Sequence, residues 1–208
     1  MQLVGYLDSP FVRRVAVSMK FLDIPFEHRE LSIFRDYDAF RALHPCVKVP
    51  TMVLDDGNIL IDSNLIIDHL EQHVAGRSLM PSDRDAHASA SARVGVATAA
   101  MEKVAQVIYE TGHRPAELQH GPWLQRVEQQ LHGAVALMEQ WAADWRRGGQ
   151  AWMYGDDISQ ADISIAILWR FAQHIDAVRL DPADFPSLAA FSAQAEALPE
   201  FISCPLSE

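Results

Sequence analysis

Pro50 constrains this chain more than any other residue. The run Lys48-Val49-Pro50-Thr51-Met52-Val53-Leu54 is rich in strand-forming residues, yet a proline has no N–H to give a sheet ladder and is normally kept out of one. One physical solution is a tight turn with a cis Val49–Pro50 bond, which leaves the main chain of Val49 facing outward. Further on, Asp62-Ser63 heads an apolar helical pattern and reads as a carboxylate followed by an N-cap. Together the two features read as a cradle for a small peptide with a carboxylate at each end.

Around Pro50 the first third of the chain alternates strand and helix signals. Leu3 to Leu7 is a short strand, Ser9 caps and Pro10 opens a helix to about Asp23, and Phe26 to Leu31 is a second strand. A short helix over Arg35–Leu43 precedes the strand Thr51–Leu54. Asp55-Asp56-Gly57-Asn58 turns it into Ile59–Ile61, and a helix follows from Ser63 to about Val74. The order is βαβαββα. Ala75 to Asp85 reads as a linker. The rest is helical, with one apolar seam through Val94, Ala97, Met101, Val104 and Ile108 and another from Leu124 to Trp145. Ser159-Gln160-Ala161-Asp162 is a capping-box variant ahead of a buried helix, and Pro186 starts a further one. Asp162 is read as structural.

A net charge of −11 over 208 residues argues against nucleic acid and anionic membrane as partners. Any anionic ligand must be held by local donors. No apolar run approaches the ~20 residues of a membrane span. The start lacks the basic and apolar stretches of a signal peptide, and Cys46 and Cys204 form neither a CxxC nor a zinc spacing. A cytoplasmic protein is expected. The nine histidines are read as scattered, without a ligand pattern such as His-x-x-x-His on one face, so no metal is expected.

Ser9-Pro10-Phe11-Val12-Arg13-Arg14, His44-Pro45-x-x-Lys48-Val49-Pro50, Asp62-Ser63 and Ser159-x-x-Asp162 resemble, in order and nearly end to end, the cytosolic glutathione transferases. The context Ser9-Pro10-Phe11 resembles the serine-type members, tau-like or bacterial. The resemblance implies a thioredoxin-like α/β domain over residues 1–76, a linker over 77–85, an all-helical domain over 86–208, and commonly a homodimer. Glutathione becomes the co-substrate, its thiol ionised beside Ser9 for attack on a small hydrophobic electrophile. Tyr6 is the rival thiol partner, and a plain N-cap is the alternative role for Ser9.

Lys48, Val49, Pro50, Asp62 and Ser63 are the expected glutathione contacts. Phe11, Tyr109, His113 and Trp169 are candidates for an apolar second-substrate pocket by placement alone. Arg13 and Arg14 are expected at the surface and Cys46 is expected to be inert. The Ser-Ser-Cys signature of maleylacetoacetate isomerases is absent, which argues against that activity. A glutathione-dependent disulfide or peroxide reductase, or a non-catalytic regulatory protein of this fold, are the competing functions.

Overall fold

The computed structural model describes residues 1–74 and 76–206; Ala75, the first residue of the segment read as a linker, lies outside them. The chain forms two compact units, Met1–Leu79 joined by the C-terminal segment from Leu198, and Met80–Ala197.

The first unit runs β1 (Gln2–Val4), α1 (Pro10–Phe21), β2 (Glu27–Arg29), α2 (Tyr37–Leu43), β3 (Thr51–Val53), β4 (Ile59–Leu60) and α3 (Ser63–His73), the βαβαββα order expected. The sheet order is β2-β1-β3-β4, with β1 parallel to β2 and antiparallel to β3, and β3 antiparallel to β4. Leu3 sits opposite His28 on one side and Met52 on the other. The parallel β1–β2 pair requires a crossover, which α1 supplies. The Val49–Pro50 bond is cis, the solution expected for the proline ahead of β3.

β1 stops at Val4 instead of Leu7 because Gly5 leaves the strand with φ +131°. A Cβ at Gly5 would lie 2.7 Å from Val12 Cγ2 and 2.9 Å from Val49 Cγ1. The missing side chain is therefore the space in which the β1–α1 turn, α1 and the Val49 loop meet. Gly5→Ala combines a disfavoured φ with a clash against two β-branched side chains. It should lower stability by about 2–4 kcal/mol in urea denaturation. A loss below about 0.5 kcal/mol would show that Val49 moves freely away from the turn.

α1 corrects the expectation for its arginines. Arg13 and Arg14 are 2% and 1% exposed, because α1 is packed by α3 and by a last short helix, α8 (Pro199–Ile202), which the sequence reading did not contain. Arg13 Nε donates to the Cys204 carbonyl at 2.7 Å, and its guanidinium lies 5.7 Å from the centre of the Phe201 ring. Phe21 meets Phe201 edge-on at 6.1 Å. Arg13 thereby ties the C-terminal segment to the first helix through the Cys204 carbonyl.

The second unit holds α4 (Arg84–Ile108), α5 (Gly121–Gly148), α6 (Gln160–His174) and α7 (Pro186–Glu196). The seams emerge as Ala97, Met101 and Val104 on α4 and Val127, Leu131 and Met138 on α5, all buried. α6 is buried from Gln160 through Trp169, so it runs through the core of this unit. Its N-terminus is the capping box expected. The Asp162 carboxylate accepts from Ser159 N–H at 2.8 Å and from Met153 N–H at 3.1 Å. Burial pushes the Asp162 carboxyl above the usual carboxylate range, against the pull of those bonds. Among the described residues no helix is long and apolar enough to cross a membrane.

Candidate functional site

Ser9 and Ser159 each stand at the N-cap of a helix, and their hydroxyls behave differently. Ser159 Oγ lies 3.4 Å from Asp162 N–H and closes the capping box. Ser9 occupies the same position before α1, but its side chain makes no capping hydrogen bond. Its main chain is engaged, with N–H donating to the Tyr6 carbonyl and the carbonyl accepting from Arg13 N–H. The plain N-cap role is thus not taken up. A free hydroxyl stands at the positive end of a 12-residue helix. Tyr6, the rival donor, is partly buried with the Arg35 guanidinium 5.1 Å from its ring centre. The Val49 side chain reaches the same turn, at Gly5. Lys48 is exposed, and its carbonyl accepts from Thr51 Oγ1 at 2.7 Å.

At α3 the roles of the Asp-Ser pair are exchanged relative to expectation. Asp62 is the N-cap; its Oδ1 accepts from Asn64 N–H at 2.8 Å and Leu65 N–H at 3.4 Å, which leaves Oδ2 outside the cap. Ser63 is the first helical residue, and its hydroxyl accepts from Arg14 Nη1 at 3.0 Å. The same Nη1 donates to Asn64 Oδ1 at 2.6 Å, while buried Nε has no partner among the described residues. A cation is therefore embedded beneath the N-terminus of α3. Burial outweighs the attraction of Asp62 and pushes the Arg14 guanidinium down to about 10, so it stays charged at neutral pH.

In the helical unit α4 runs into a π-helical turn, Tyr109–His113, then a 3-10 turn, Ala116–Leu118, before α5. This corner forms an open cleft of about 510 Å³ lined by Tyr109 and His113, as placement suggested, together with Gln106, Glu110, Arg114 and Trp123 among others. Trp169 is not brought there; it is buried and packs edge-on against Phe185 at 5.8 Å. Phe11 lies partly buried near the start of α1 in the other unit. The additional lining residues escaped the sequence because an irregular corner, not a helical period, gathers them.

Among the described residues no group of three or more His, Cys, Asp or Glu is arranged to hold a metal ion. The expectation that no His-x-x-x-His pair lies on one face is corrected: His69 and His73 form one on α3, with ring centres 4.1 Å apart. Cys46 is exposed and Cys204 buried, both free.

A four-stranded sheet with the parallel β1–β2 pair crossed over by α1, a cis proline ahead of β3 and a following helical unit define the fold of the glutathione-dependent transferases. Residues 3–78 match the family model of the glutathione S-transferase N-terminal domain. Glutathione S-transferase U1 of Arabidopsis thaliana is 32% identical over 83 residues, 39% of this chain and 37% of that protein. The chain's match spans about 37% of the length of each of two such Arabidopsis relatives. The maleylacetoacetate isomerase of Pseudomonas aeruginosa is 26% identical over 175 residues, 78% of this chain and 77% of that one. A glutathione S-transferase from Methylobacterium radiotolerans, solved with glutathione sulfonate, has the same fold at a TM-score of 0.86 and 23% identity, covering 100% of this chain and 95% of that one. A family member from Pseudomonas fluorescens with bound glutathione gives 0.85 and 24%, covering 100% and 99%. Residues 3–78 are thus similar to the N-terminal domain of the glutathione S-transferases, and the chain as a whole shares the fold of solved members.

Proposed function

We propose that this protein binds glutathione on residues 1–76, ionises its thiol beside Ser9, and directs the thiolate at an electrophilic carbon of a small hydrophobic molecule held by residues 86–208. The uncommitted hydroxyl of Ser9 at the head of α1 carries this reading. The two solved relatives that hold glutathione or its sulfonate support the choice of tripeptide.

The α-carboxylate of glutathione meets Ser63 and the N-terminus of α3 in this reading, and Asp62 Oδ2 takes the α-amino group. The cysteinyl part pairs with the Val49 main chain, held outward by Pro50, as an added strand would. Lys48 takes the glycyl carboxylate. A free thiol ionises near ~8.5. Lowering that by about 2 units requires roughly 2.7 kcal/mol. A hydrogen bond to a charged group contributes about 1.5–3 kcal/mol and a helix terminus about 0.3–1, which suffices. In the reaction a C–S bond forms, the leaving group departs with its electron pair, and the thiol proton passes to solvent. A second copy of the chain as partner and a cytoplasmic site of action complete the proposal.

The test is calorimetry with glutathione. Wild-type protein should give saturable heat, and Ser63→Ala should bind about 10-fold or more weakly through loss of one charge-assisted bond. Silence at millimolar tripeptide would favour a regulatory protein of this fold.

A second reading follows from the isomerase relatives, one of which, a probable maleylacetoacetate isomerase of Caenorhabditis elegans, is 26% identical over 97% of this chain. Glutathione bound in the same way would then add reversibly to a cis alkene and leave it trans. Turnover of maleylacetoacetate with none of activated aryl halides would select this reading.

A further inference from the structure

His69 and His73 stand four residues apart in Ser63-Asn64-Leu65-Ile66-Ile67-Asp68-His69-Leu70-Glu71-Gln72-His73, the whole of α3. Residues at that spacing share one face of a helix, and their side chains meet one turn apart. Ile66, Ile67 and Leu70 are the buried apolar residues of the helix, while His69 is half-buried and His73 exposed. The two imidazole rings are neighbours, with centres 4.1 Å apart and planes tilted by 45°. Two histidines at this spacing on one helix face are the ligand pair of many zinc sites.

Hydrogen bonding decides which nitrogen His73 offers. Its Nδ1 lies 2.8 Å from the His69 carbonyl oxygen. A carbonyl only accepts, so Nδ1 carries the proton and the lone pair of the neutral ring sits on Nε2. Metal-binding histidines are held in this way, one nitrogen fixed by a carbonyl or carboxylate and the other turned to the ion. An ion shared by two imidazoles takes each nitrogen at about 2.0–2.1 Å, which sets the nitrogens about 3–3.4 Å apart. Rings with centres 4.1 Å apart reach that spacing by small side-chain rotations. His73 also lies in the last turn of α3, where the helix carbonyls favour a cation. Hydrogen bonds from Asn58 chiefly hold the Asp56 carboxyl below the usual range, and the charge of His69 adds to that pull. A carboxylate on the β3–β4 turn is thus within electrostatic reach of the pair.

We propose that His69 and His73 chelate one divalent transition-metal ion of the imidazole-preferring group, copper, nickel or zinc. Among the described residues no third His, Cys, Asp or Glu completes a ligand group with them, so water fills the other positions and the ion stays exchangeable. Imidazole ligands select against magnesium and calcium, which take oxygen. Copper should bind more tightly than nickel or zinc. Held across one turn, the ion clips the C-terminal half of α3, the helix whose other end carries Asp62 and Ser63. The site depends on neither Ser9 nor glutathione.

The experiment is calorimetric titration of the untagged protein with nickel ion alone, glutathione being left out because its thiol also takes metals. About one equivalent should bind saturably. His69→Asn and His73→Asn should each weaken it about 10-fold or more, since chelation by two rings becomes attachment by one. His174→Asn, at another exposed histidine, should change it less than about 2-fold. Electron paramagnetic resonance of the copper-loaded protein should show two imidazole nitrogens on the metal, and one in His73→Asn. Nickel should raise the melting temperature of the wild type and not that of His69→Asn, because it binds the folded helix. Nickel held as tightly by His73→Asn as by the wild type overturns the site, as does the absence of heat at millimolar nickel. Loss of binding in Cys46→Ser, with retention in both histidine variants, places the ion on the exposed Cys46 thiol and overturns it too.

Discussion

Ser9→Ala should reduce turnover with glutathione and an activated aryl halide by about 30- to 100-fold at pH 6.5, with the KM for glutathione within about 3-fold. The magnitude comes from removing one hydrogen bond to a thiolate, about 2–2.7 kcal/mol, while leaving the helix terminus in place. The split between turnover and affinity arises because the tripeptide is held at its two carboxylates and along the Val49 main chain, not at sulfur. pH separates this role from a structural one. The wild-type rate should follow a bound thiol that ionises well below ~8.5, the free thiol's value. In the variant the deficit should shrink as pH rises through that value, because solvent then supplies the thiolate unaided. Ultraviolet thiolate absorbance of the bound tripeptide checks the shift directly. Turnover equal to wild type at every pH would pass the role to Tyr6 or to the α1 terminus alone. The contrast with Ser159 makes the wild-type geometry informative: a serine whose sole purpose was to cap would have its hydroxyl on the first turn, as Ser159 does.

The fold was readable because its punctuation is chemical. Pro50 kept its own position out of a sheet ladder in a strand-like run, Asp55-Asp56-Gly57-Asn58 marked a hairpin connection, and Ser159 with Asp162 marked a helix start. Strand ends were less readable. Gly5 ends β1 through a positive φ and a close approach of Val12 and Val49, and both depend on residues distant in sequence. The buried arginines were hidden for a similar reason. Periodicity assigns a helix one apolar face, but α1 is covered by α3 on one side and α8 on another, so Arg13 and Arg14 are enclosed together. Two adjacent arginines inside Pro10-Phe11-Val12-Arg13-Arg14-Val15-Ala16-Val17 were the available signal, since a surface helix would alternate polar and apolar faces. Asp62 and Ser63 are both good N-cap types, and only the course of the chain decides which one caps. The cavity at Tyr109–Trp123 had no periodic signal, because a π-helical turn and a 3-10 turn assemble it.

Arg14→Met should separate affinity from stability: glutathione binding falls about 100-fold while thermal stability stays within about 2 kcal/mol of wild type. Two opposing quantities set the stability term. Pushing the guanidinium from the ordinary arginine range down to about 10 means that at neutral pH, where both states are protonated, the folded state carries a burial cost of about 3 kcal/mol. The sign follows from the lowered value: the cost is present in full below about 10 and fades as pH rises toward the ordinary arginine range. Methionine removes that cost and fills similar volume. It also strands the Ser63 hydroxyl and the Asn64 amide, each a loss of about 1–3 kcal/mol, so the two sides nearly cancel. The affinity term has no such compensation. A carboxylate hydrogen-bonded to Ser63 Oγ, on the far side from Nη1, would lie roughly 5–6 Å from the buried charge. At an effective dielectric near 20 that attraction is about 3 kcal/mol, or roughly 100-fold in affinity. Calorimetry and thermal melting on one preparation read both quantities. Arg14→Lys, which keeps the charge but can serve only part of the fork, should recover part of the lost affinity. If Arg14→Met binds glutathione as wild type does, the buried cation only organises the α1–α3 packing, and the anion at the head of α3 is held by Ser63 and the helix N–H groups alone.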